Sequence, residues 1–233
     1  MTGCSLPLMW VLSYLNQVLS MNSEALSLTN IIVLVTCVIS FALMTNQAGK
    51  SYLLFHPVTI KKRNQWYRFF TSGLIHGDVM HLFVNMFVLW SFGNDVERLY
   101  YPSFLGPNSA VLFLILYFGG IAVASIPSYL RHSENPSYAA LGASGGVAAV
   151  VFAIILFAPW DNLYLFGVIP VPQIIAGVGY LYYSWHQDQH AQDNIGHMAH
   201  FTGALWGVGF TIFMNFELLG RFITETLSGP TWM

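Results

Sequence analysis

Long apolar runs with almost no charge to interrupt them constrain this chain more than any other feature. They occupy residues 26–45, 79–99, 110–129, 144–160, 169–185 and 198–219. A bilayer core of about 30 Å takes roughly 20 helical residues to cross. The runs therefore predict an all-α fold, a polytopic membrane protein built as a bundle of six transmembrane helices. Composition agrees: 8% of the residues are charged and 55% are hydrophobic, whereas soluble domains carry about 25% charged residues. A net charge of −2 excludes a nucleic-acid partner. Cys4 and Cys37 fit no paired ligand or redox spacing.

Three regions follow. Residues 1–25 place Leu8, Met9, Leu12, Leu15 and Leu19 at helical spacing with Ser13, Asn16 and Gln17 between them, the pattern of an amphipathic helix lying on the membrane. Residues 26–219 form the membrane domain, and residues 220–233 a short C-terminal tail. Pro170 and Pro172 near the start of the fifth run make its first turns irregular. The longest connection, 47–78, holds "KKRNQWYRFF", with aromatics and arginine suited to the membrane interface. The chain carries no internal repeat.

Within "AALGASGGVAAV" a single hydroxyl, Ser144, stands among glycines and alanines. Taken literally, "GASGG" matches the nucleophile elbow of soluble hydrolases, but no strand pattern precedes it. Small residues in membrane helices also serve packing alone. Gly145, Ala149 and Ala153 recur every four residues, and Ala199, Gly203 and Gly207 do the same on the sixth run. Two such stripes can dock, with Ser144 and His200 flanking one seam. On the second run His81 and Asn85 lie four residues apart, about 6 Å on one helical face.

In an up-and-down bundle the second, fourth and sixth helices run the same way. His81, Ser144 and His200 sit at their N-terminal ends and so share one membrane face. A serine hydroxyl becomes a nucleophile when a base takes its proton, and His200 suits that near neutral pH. His81, Asn85 and the Ser144 backbone N–H are candidate donors to the developing oxyanion. Helix N-termini favour negative charge there too. Gly142 lets backbone approach a substrate closely, and His197 lies one turn from His200, placed to tune it.

These residues resemble the rhomboid intramembrane serine proteases. The resemblance rests on "HGDVMHLFVN", "GASG" and "AHFTGALWG" and spans about residues 66–209. It implies Ser144 as nucleophile, His200 as general base, and His81 with Asn85 as oxyanion donors. His76 matches a further family histidine. Arg68 after Trp66 and Tyr67 resembles the arginine of the family's W-R motif, spaced here as W-Y-R, and Glu97 resembles a structural glutamate. The resemblance further implies a site sunk below one membrane surface, transmembrane protein substrates entering past the fifth helix, and a multi-pass protein of a bacterial inner membrane that needs no cofactor or metal.

Two other functions compete: a catalytically inactive rhomboid-like protein that binds or escorts membrane clients, and a transporter. The transporter lacks the expected internal repeat and mid-span charges. A metal site from His186, His190, His197 and His200 competes with the use of His200 as a base. Charge and resemblance disagree on orientation. Lys50, Lys61, Lys62, Arg63, Arg68 and Arg131 fall on the active face against Arg98 and Arg221 opposite, which the positive-inside rule places in the cytoplasm. The resemblance places that face outside, and it is preferred because most of this charge sits in one long loop.

Overall fold

A computed structural model describes residues 27–165, 168–190 and 196–230. The expected amphipathic segment 1–25 lies outside the described residues. Each apolar run contains a long helix. The long helices are α1 (Leu28–Met44), α2 (Val79–Asp95), α3 (Ser109–Ala124), α4 (Ser144–Phe157), α5 (Gln173–His190) and α6 (His197–Met214), followed by α7 (Glu217–Ser228).

Local chemistry sets several boundaries. Ser27 caps α1 by accepting the Asn30 N–H. Glu97 completes the same end: its carboxylate accepts the N–H groups of Leu28 and Thr29, each at 2.7 Å, and the Thr29 hydroxyl at 2.8 Å. These donors have no partner within their own helix, and a negative group at a helix N-terminus is favoured. Glu97 can reach them because α2 passes into a π turn at Val96–Tyr100. Asp78 caps α2 through the His81 N–H at 2.8 Å.

Three run boundaries differ from expectation. The fifth run does not start as a helix at 169. Ile169–Pro172 is instead a strand, β2, paired antiparallel with β1 (Asn162–Leu165) from Asn162↔Pro172 to Leu165↔Ile169. Pro170 and Pro172 have no N–H for a helical ladder, so α5 begins at Gln173. The sixth run ends at Met214, where Asn215 turns extended, and α7 leaves at 116° to α6. The residues assigned to a C-terminal tail are thus helical through Ser228. The third run breaks at Ser125, beyond which Ile126–His132 forms a separate short helix with Pro127 in its first turn.

The core is α4, twelve of whose fourteen residues are buried. It packs most extensively on α6 and α3, and also on α2. The two small-residue stripes meet: a methyl group on Gly203 would overlap the Gly145 carbonyl oxygen, and one on Gly207 would overlap that of Ala149. On the α3 side a methyl on Gly120 would fall 2.7 Å from Ala149 Cβ. The backbones of α4 and α6 therefore touch, which only residues with little or no side chain permit.

By length and composition, among the described residues the helical stretch Val79–His132, which takes in α2 and α3, is long and apolar enough to cross a membrane. α6 and α7 qualify only as one bent pair, and α1 and α4 are apolar but shorter. The described fold is a mostly helical bundle with one two-stranded hairpin.

Candidate active site

The site lies where the N-terminal ends of α2, α4 and α6 converge. Ser144 is the first residue of α4, and no side chain caps that helix. Ahead of it, Gly142 adopts φ +117°, a conformation other residues rarely take. Its N–H donates to Ser72 O at 2.9 Å. A methyl on Gly142 would lie 2.9 Å from His81 Nε2. The His81 ring thus packs directly on the segment leading to Ser144.

His76 ties this segment down. Ser40 Oγ donates its one proton to Leu74 O at 2.9 Å, so its 3.0 Å contact with His76 Nδ1 requires the proton on that nitrogen. His76 Nε2 is then an acceptor, and the Ala143 N–H donates to it at 3.3 Å. The two histidine rings meet edge to face, with centroids 4.9 Å apart. Burial, helped by the neighbouring His81 and opposed by Asp78, pushes the His76 pKa down to about 3, so the ring is neutral.

Asn85 is buried on α2 and donates through Nδ2 to the His81 carbonyl at 2.9 Å. One amide N–H remains for another acceptor. Arg68 is buried in the long connection, where its guanidinium donates to Ser51 O at 2.8 Å, Leu54 O at 2.7 Å and Gln65 Oε1 at 2.7 Å. It organises the loop and does not reach Ser144. That loop meets the Ser144 segment through paired backbone bonds between Phe55 and Ala140.

His200 stands one turn above Gly203, so the α4–α6 seam leads to it as it leads to Ser144. No hydrogen bond joins Ser144 Oγ to His200 among the described residues; such bonds are often loose before substrate binds. His200 stacks on Tyr180 of α5, with centroids 6.1 Å apart and planes 26° apart. His197 is buried, 6.2 Å from His200 and edge-on to Tyr183. Tyr180 and Tyr183 were not anticipated from sequence. The available signal was the helical spacing of Gln173, Gly177, Tyr180 and Ser184, the least apolar face of the fifth run. His186 and His190 stack on each other, with centroids 4.3 Å apart. The described residues contain no group of three or more potential metal ligands.

Fold and site together define a helical membrane bundle with a serine and a histidine at the same end of its central seam. The Rhomboid domain family matches residues 63–215, and the chain belongs to the rhomboid family. Rhomboid-like protein 15 of Arabidopsis thaliana is 26% identical over 218 residues, covering 88% of this chain and 51% of its own length. Rhomboid protease GluP of Bacillus subtilis is 26% identical over 166 residues, 71% of this chain and 29% of its own. Inactive rhomboid protein 1 of Drosophila melanogaster is 25% identical over 136 residues, 56% of this chain and 9% of its own. The chain spans about half or less of the length of these relatives. Family membership makes it an integral membrane protein. Relatives from a plant, a bacterium and an insect give no support to the expected bacterial inner membrane in particular.

Proposed function

We propose that this chain is an intramembrane serine endopeptidase that cleaves transmembrane segments of other proteins, with Ser144 as nucleophile and His200 as general base. The observation that carries the reading is the convergence of His81, Ser144 and His200 at one end of the bundle, with Ser144 first on a helix that no side chain caps. Ser144 Oγ attacks the scissile carbonyl carbon as His200 takes its proton. The carbonyl oxygen, now negative, receives hydrogen bonds from the Ser144 N–H, His81 and Asn85. His200 returns the proton to the leaving amine, and water then cleaves the acyl-serine by the same route in reverse.

Depth follows from helix length. At 1.5 Å per residue the fourteen residues of α4 extend about 21 Å, against a bilayer core of about 30 Å. With its far end at one boundary, α4 holds Ser144 roughly 9 Å below the other, in reach of a transmembrane substrate. Six crossings, one per long helix from α1 to α6, belong to this reading.

An inactive client-binding protein is the second reading, supported by the similarity to Inactive rhomboid protein 1. A serine-directed fluorophosphonate distinguishes the two. The protease labels at Ser144 and cleaves a transmembrane substrate, and Ser144→Ala loses both activities while keeping its melting temperature. Cleavage that persists in Ser144→Ala, or absence of labelling and cleavage in the wild type, overturns the proposal.

A further inference from the structure

At the end of the bundle opposite Ser144, α7 presents three distinct faces. Leu218 is 2% exposed, and Phe222 packs against buried residues of the bundle. Phe216, Leu219, Ile223 and Leu227 form a second face, an exposed stripe at helical spacing, with Leu227 81% exposed. Glu217, Arg221, Thr224 and Ser228 form a third, polar face.

The bundle fixes which way these faces point. Trp160 Nε1 donates to Glu225 O at 3.0 Å, and the Arg221 guanidinium sits 4.7 Å over the Phe104 ring. Asn215 holds the corner: its Nδ2 donates to Phe104 O at 3.1 Å, and its Oδ1 accepts the Glu217 N–H at 3.0 Å. The helix cannot roll to hide its apolar stripe without breaking these contacts.

The stripe is continuous with the surface that α6 offers to lipid. Leu205 and Phe213 are exposed on α6, and the Phe213 ring meets Phe216 edge to face across the corner, with centroids 6.1 Å apart. We propose that α7 is an in-plane membrane-surface helix whose apolar stripe is seated in the phospholipid bilayer at the boundary of headgroups and acyl chains, with its polar face toward water. The partner is lipid, because the surface runs without interruption from a membrane-embedded helix and the polar side chains gather on one side of the stripe.

Nitroxide accessibility in phosphatidylcholine liposomes tests this. Single cysteines replace Leu219, Ile223, Leu227, Glu217, Thr224 and Ser228 in turn, in a background with Cys4→Ser and Cys37→Ser, and Leu205→Cys supplies the lipid reference. All six α7 positions are exposed, and a melting temperature for each labelled protein confirms the fold. Collision with oxygen should be several-fold greater relative to a water-soluble nickel chelate at 219, 223 and 227 than at 217, 224 and 228, oscillating with the helical period. Equal nickel access on both faces would mean that α7 lies in water and would overturn the proposal. Low access to both reagents at the stripe, with spin–spin broadening, would overturn it by showing a second copy of the chain there.

Discussion

At the residue scale, His76 holds the segment ahead of Ser144 through the Ala143 N–H, which in the proposed mechanism makes it a positioning group. Its pKa is held near 3, below the ordinary 6.5, so between those values the unfolded chain binds the proton and the folded one does not. The resulting stability is fully present above pH 6.5 and is lost as pH falls toward 3. Melting temperature measured across that window should fall more steeply in wild type than in His76→Gln, which starts less stable; parallel slopes would count against the assignment. Asn85→Ala separates catalysis from packing. A donor that strengthens only as the oxyanion forms affects kcat rather than KM, and its loss typically costs about 2.7–4 kcal/mol, roughly a hundred- to a thousandfold in rate. An unchanged kcat per folded molecule, with a lowered Tm, would leave Asn85 as a bond within α2 to His81 O.

At the scale of elements, the α4–α6 seam is legible in the sequence, because Gly145, Ala149, Gly203 and Gly207 recur at a four-residue period that suits close packing in so apolar a chain. The shared end of α2, α4 and α6 was legible too, because His81, Ser144 and His200 stand at the starts of alternate apolar runs. The hairpin of β1 and β2 was not, since its exposed Tyr164 and Ile169 make the segment as apolar as a helix; Pro170 and Pro172 were the only clue. Nor was the bond from Ala143 to His76, which depends on a loop whose path no periodicity describes. The seam makes its own prediction. Gly203→Leu should lower the melting temperature markedly, beyond the roughly 1–3 kcal/mol typical of overpacking, because the new side chain meets the Gly145 backbone, which has no rotamer to yield. Gly209→Leu, on the same helix in open space, should leave it near wild type.

At the scale of the molecule, the basic residues that argue for a cytoplasmic active face lie mostly in one long loop, and the folded loop uses most of them structurally. Lys50 and Arg68 are buried, Lys61 pairs with Glu134, and Arg131 lies 3.2 Å from Asp188 of α5. Four of the six basic residues on that face are thus part of local structure in the folded protein, although insertion reads all six before these contacts form. The charge bias and the family resemblance still point opposite ways; the resemblance is preferred, and on it the active face is expected outside. A cysteine at Lys62 should react with an impermeant maleimide in intact cells, and protection there with labelling after lysis would reverse the orientation.

Under the proposed function, the contact between α4 and α6 also bears on when the chain first becomes able to cut. About forty residues separate the end of α4 at Phe157 from the start of α6 at His197, so at roughly 5–20 residues per second the ribosome supplies the second half of the seam about 2–8 s after the first. Throughout that interval Ser144 has been made and His200 has not. On that reading, the unfinished chain then lacks its base and is unable to cut, so that the order of synthesis does the work that a removable propeptide does in secreted proteases.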